Sequence, residues 1–154
     1  MSPITRTLAA VAAIATVAAA GAAAAQNWRL PATYGTVTLN SGFMPDPNVT
    51  SLQSGGTIDA SRLGGGCAGF VANAPDVDLQ YTAGNYPLTI SVVAQADTTL
   101  VINGPDGRWY CNDDANGANP AIRFQHPASG LYDIYVGTYG SSQLAPAQLI
   151  ITER

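Results

Sequence analysis

Apolar positions recur along this chain mostly at every second residue and rarely with a helical period. Val77, Leu79 and Tyr81 alternate with Asp76, Asp78 and Gln80, the period-2 signature of a half-buried strand. That alternation puts Asp76 and Asp78 on one side together, where they form an acidic face or, as the plainer reading, a solvated one. Residues 34–39 and 67–71 are rich in β-formers, and residues 87–93 and 98–102 are denser apolar runs suited to central strands. Ile122 and Phe124 flank Arg123. Leu131, Ile134 and Val136 sit among Tyr132, Tyr135 and Tyr139, and residues 148–152 make a last strand. Turn clusters such as Ala83-Gly84-Asn85, residues 103–107, Asn116-Gly117 and Ser129-Gly130 fall between these runs, where Gly, Pro, Asn and Asp supply turn conformations. About eight short strands at this spacing predict an all-β protein, an antiparallel β-sandwich of jelly-roll type. Residues 40–56, with Pro45-Asp46-Pro47, carry little pattern and are expected to cover a sheet edge.

The first 25 residues break the pattern. A short start bearing Arg6 leads into an Ala-dominated apolar run over residues 8–25, which closes on Ala23-Ala24-Ala25 before Gln26-Asn27. That order reads as a signal peptide cleaved after Ala25. The rival, a membrane anchor, has too little hydrophobicity in its alanines. Residues 26–154 then form a single domain of 129 residues, secreted or periplasmic, with no membrane span after processing.

Composition narrows the function. The six basic residues are all Arg, the acidic residues number 10, and the net charge is −4 with only 10% charged positions. Without Lys or a basic stripe, a nucleic-acid partner is excluded. Export gives the cysteines meaning: Cys67 and Cys111 are the only two, and an oxidising compartment makes one disulfide the default, with buried free thiols as the alternative.

Four short pieces carry a resemblance. Residues 77–84 read Val-Asp-Leu-Gln-Tyr-Thr-Ala-Gly, and residues 97–107 run from Asp97-Thr-Thr-Leu through Pro105-Asp-Gly107. Asn112-Asp113-Asp114 and Pro127-Ala-Ser-Gly-Leu-Tyr-Asp-Ile-Tyr-Val136 follow. Together they resemble the bacterial pre-peptidase C-terminal domain family. The resemblance implies a secreted β-sandwich accessory module that binds calcium, carbohydrate or matrix polymers. It covers residues 77–139 and leaves residues 26–70 unaligned.

Similar small exported proteins are labelled chymotrypsin-like serine peptidases, but the residues speak against that label. The one His, His126, lies in Phe-Gln-His-Pro, and Ser54 lies in Gln-Ser-Gly-Gly, so neither has the context a nucleophile and its base require. The acidic loop is more informative. Asn112, Asp113, Asp114 and Asn116, with Asp106 as a secondary member, offer the oxygen donors that Ca2+ takes, although position twelve is Arg123, so it is not an EF-hand loop. The same residues equally make Asx-turns. Trp109, Tyr132 and Tyr135 are the aromatic candidates for stacking on sugars or anchoring a protein, or else half-buried sheet residues. The expectation is an exported, non-catalytic binding or accessory module, with Ca2+ as the candidate stabilising ion, whose partner is a polysaccharide or another exported protein. A serine peptidase-like hydrolase and an envelope structural protein are the alternatives.

Overall fold

Burial alternates along most of the chain because two sheets face each other and each shows its other side to solvent or to a covering layer. The computed structural model describes residues 26–154; the proposed signal peptide and its cleavage site lie outside the described residues. Eleven strands run in chain order: β1 Thr36–Asn40, β2 Asn48–Ser54, β3 Ile58–Asp59, β4 Phe70–Val71, β5 Val77–Thr82, β6 Leu88–Ala94, β7 Thr98–Asn103, β8 Trp109–Asn112, β9 Ala121–Phe124, β10 Gly130–Thr138 and β11 Ala145–Thr152. The described residues hold no α-helix, only a 3-10 turn at Ala60–Leu63.

The larger sheet runs β1-β5-β10-β7-β8, with β3 and β4 joined to the far end of β10; the smaller sheet runs β2-β11-β6-β9. The protein is therefore an all-β sandwich, as the pattern predicts. Neighbours pair antiparallel except β1, which lies parallel to β5 with Val37 beside Leu79.

Inward-facing residues of both sheets make one core: Leu79 and Tyr81 of β5, Ile102 of β7, Ile134 and Val136 of β10, and Ile90 and Ile151 of the opposite sheet. At one end of it, Phe124 packs edge-on between Tyr110 (5.0 Å) and Tyr132 (5.3 Å), a geometry that suits the ring quadrupoles. Every residue of β7 is buried, because the outer face of its sheet is covered too. There, the 3-10 turn and β4 place Ala60, Cys67 and Val71 over Val101, Tyr135 and Trp109 in a second small core. The Cys67–Cys111 disulfide, with Cα atoms 4.9 Å apart, ties this cover to β8. The disulfide expectation is thus met.

Three expectations are corrected. Residues 40–56 include β2, a full edge strand paired with β11 from Asn48 to Ser54. Its inward positions include Ser54 and Thr50 rather than apolar residues throughout, so alternation is faint. Asp76 and Asp78 do not form a solvated face. They lie under the N-terminal segment, which bonds back through Tyr34 N–H to the Asp76 carbonyl and Asp78 N–H to the Gly35 carbonyl. Tyr132 and Tyr135, expected at a binding surface, are 1% and 0% exposed. The bulky apolar neighbours that make a strand bury both faces of β10, and these two rings fill the two cores.

Candidate functional site

Ser54 and His126 are not brought together. Ser54 is buried and donates its hydroxyl to the Ala145 carbonyl at 3.0 Å. Register places it beside the Ala94 end of β6, whereas His126 follows Phe124, which pairs with Leu88 at the other end. Six strand steps at roughly 3.3 Å each keep them about 20 Å apart.

The acidic loop serves as a brace between the sheets. The Asn112 Oδ1 accepts from Ala121 N–H at 3.0 Å, and the Asn119 Oδ1 accepts from Ala94 N–H at 2.9 Å. Asn116 pairs with Asn119 through backbone. Asp106 is separated from this loop by β8 and accepts instead from Tyr110 O–H at 2.7 Å and Arg108 N–H at 3.1 Å. Its carboxyl is held below the usual range, first by that Tyr110 hydrogen bond. Among the described residues, no group of three His, Cys, Asp or Glu side chains is arranged to hold a metal ion. Asp113 is half-buried and Asp114 exposed on this loop.

A different set of side chains converges. The turn after β7, the start of β8, the start of β10 and the N-terminal segment enclose a cleft of about 390 Å³. Trp28 and Trp109 wall it, Leu131 and Pro105 border it, and Asn103 and Asp133 line it from within. Trp28 is 43% exposed and already carries the Arg29 guanidinium 4.8 Å above its ring. Trp109 is fixed from behind by Tyr135, with ring centroids 5.9 Å apart. Of the predicted aromatic residues, only Trp109 reaches this cleft.

Asp133 is 3% exposed, and its Oδ1 has no hydrogen-bond partner. It sits directly across the β5–β10 ladder from Asp78, whose Oδ1 is likewise unpartnered, and the two carboxyls lie within hydrogen-bonding reach. Burial, then the charge of Asp78, pushes the Asp133 carboxyl up to about 6. Burial also raises Asp78, against a pull from the Ala32 backbone. Asp76, next to this pair, accepts at its Oδ2 from Val136 N–H at 2.7 Å, and burial pushes it up to about 7. A buried carboxylate without a partner is costly, so this arrangement is held by the surrounding fold rather than contributing to it. Sequence reasoning missed Trp28, Asn103 and Asp133. One signal was present: Asp133 is the lone charge inside the apolar run of β10, where turn chemistry does not account for an acid.

No protein-family model matches the chain. An uncharacterized protein of Synechococcus elongatus is 39% identical over 134 residues, covering 82% of this chain and 96% of that relative. Among solved structures, Aeromonas hydrophila PliG, described as a periplasmic lysozyme inhibitor of g-type lysozyme, is 15% identical with a TM-score of 0.40. It covers 76% of this chain and 96% of its own.

Proposed function

We propose that this chain, which belongs to one family with the uncharacterized Synechococcus elongatus protein, is an exported, non-catalytic binding module that engages another macromolecule at the Trp28–Trp109 cleft. The observation that carries this reading is Asp133: a buried, unpartnered carboxyl lining a cleft walled by two indoles. Concave sites with apolar walls and a few convergent polar groups are where ligands bind. Aromatic rings at such sites supply large contact area at low entropy cost. Export is supported by the Cys67–Cys111 disulfide, since such bonds persist in oxidising compartments, and by the leader-like pattern of residues 1–25.

The test is a binding screen of purified protein against immobilised exported proteins and cell-envelope polymers, run beside Trp28→Ala and Leu131→Ser. Both positions are exposed, so the variants should keep the wild-type melting temperature while losing binding at least tenfold. Binding unchanged in both variants would overturn the cleft. Labelling of a single Ser by a covalent serine-reactive inhibitor would overturn the non-catalytic reading.

A further inference from the structure

We infer that the Trp28–Trp109 cleft receives one alkylammonium or guanidinium group, the end of a basic side chain presented by a partner protein, with Asp133, backed by Asp78 across the β5–β10 ladder, as its counter-charge. The inference rests on the cleft being the binding site and adds the chemistry of its ligand.

Among the described residues, no salt bridge involves Asp78 or Asp133. Two carboxyls stand opposite each other on β5 and β10, each with an oxygen lacking a partner. Among the described residues, the two salt bridges lie elsewhere, joining Arg108 to Asp106 and Arg154 to Asp46. Arg123 is engaged with Thr89 and the Arg154 carbonyl, and the chain has no Lys. A neutral sugar would hydrogen-bond to these oxygens but leave their charge unanswered, whereas a cation answers both needs. A metal ion is the weaker occupant, because Asp76 spends an oxygen on Val136 N–H and no third ligand of the usual kind converges.

The walls suit the same guest. Indole faces attract ammonium and guanidinium groups, best when these are desolvated, and Trp28 already holds a guanidinium, that of Arg29, over its ring. A volume of about 390 Å³ admits the end of a side chain rather than a folded segment. The protein's net charge of −4 draws basic partners toward it over longer range.

The experiment follows the Trp28 and Trp109 indole N–H resonances while purified protein is titrated at pH 7.5 with ethylguanidinium, butylammonium or, as the neutral probe, methyl glucoside. Both cations should shift the two resonances, methyl glucoside should bind at least tenfold more weakly, and Asp133→Asn should weaken the cations at least tenfold. Asp78→Asn is the second variant, in case Asp133→Asn does not fold. An acetylated Gly-Arg-Gly amide titrated against putrescine separates a protein side chain from a free polyamine. Tighter binding of the peptide supports the protein partner, and tighter binding of putrescine overturns that part. Glucoside binding that equals the cations and survives Asp133→Asn would overturn the cation while leaving the cleft standing. If no probe moves either indole and Trp28→Ala binds the screen's partners normally, the cleft itself falls.

Discussion

Asp78 and Asp133 face each other across the β5–β10 ladder, their carboxyls within hydrogen-bonding reach of one another and each with an Oδ1 that no other group partners. With Asp76 they make three acids whose carboxyls are all raised, first by burial. A carboxyl raised in the folded state binds its proton more tightly there than in the unfolded chain. Folding is therefore favoured at low pH, and that advantage is lost as pH climbs from the unfolded value near 4 toward the folded ones, about 6 for Asp133 and about 7 for Asp76. Thermal melting should accordingly give a higher Tm at pH 5 than at pH 8, opposite to ordinary acid lability. For Asp76→Asn, whose amide oxygen still accepts from Val136 N–H, the curves should meet near pH 4, where Asp76 is protonated folded and largely protonated unfolded. At pH 8 the variant should be more stable by about 4 kcal/mol, the scale of a three-unit shift at a buried site. A Tm that falls steadily from pH 8 to pH 5 would remove the buried-acid account.

The disulfide acts on the cover rather than on the sandwich. It joins Cys67, in the covering layer, to Cys111 of β8 across 44 positions. Constraining a loop of that length stabilises by about 4 kcal/mol in the chain-entropy model. Cys67→Ala plus Cys111→Ala should cost roughly that amount in denaturant unfolding. Hydrogen exchange should quicken first at Ala60 and Cys67, whose backbone N–H groups bond to the carbonyls of Gly69 and Gly64, and last in β10. Two freely titrating thiols in the unreduced, denatured protein would show that the bond does not form.

The cover also approaches too closely to tolerate a methyl group. A Cβ on Gly56 would stand 2.1 Å from the Val71 carbonyl carbon and oxygen, all backbone atoms that cannot swing aside. Gly56→Ala should therefore lower stability by about 3 kcal/mol or more, the upper range for overpacking. Gly107→Ala meets open space but a left-handed backbone, and should cost only about 1 kcal/mol. Equal melting temperatures for the two variants would contradict this packing.

What the sequence made legible follows from which residues bury what. The runs that became β5, β6, β7, β10 and β11 carry strict alternation or dense apolar character, because one or both faces meet a core. β2 escaped notice because its inward Ser54 satisfies itself on a backbone carbonyl, so it needs no apolar label. The cleft was harder still. Trp28 comes from a segment without periodicity, and Asp133 from the interior of a strand; only strand register brings Asp133 opposite Asp78. The acids in turns, Asp106, Asp113 and Asp114, are more conspicuous in the sequence, although a turn acid has a local use and a strand acid does not.

The acidic loop provides a separate measurement. Its Asn112 and Asn119 side-chain oxygens already accept backbone N–H groups, the first bracing β8 against β9 and the second holding the loop to β6. Melting with and without a calcium chelator should give the same Tm, and Asp113→Ala plus Asp114→Ala should stay within about 0.5 kcal/mol of the parent, as surface changes do. A chelator-induced drop in Tm that the double variant abolishes would establish a calcium site in residues 112–116.

Two buried tyrosines on β10 should respond in opposite ways to the same change. The Tyr132 hydroxyl donates to the Ala128 carbonyl at 2.8 Å. Removing it in Tyr132→Phe leaves a partly buried acceptor unsatisfied and should cost about 1 kcal/mol. The Tyr135 hydroxyl is buried with no partner, and the negative field of Asp133, Asp78 and Asp76 adds to burial in raising its proton affinity. Tyr135→Phe deletes a desolvated polar group that bonds to nothing, while keeping the ring against Trp109. It should be neutral or stabilising by up to about 1 kcal/mol. Denaturant titration of both variants at pH 7 checks the pair. If Tyr135→Phe is the more damaging of the two, its hydroxyl has a partner among the three acids, and these buried carboxyls are better satisfied than their geometry indicates.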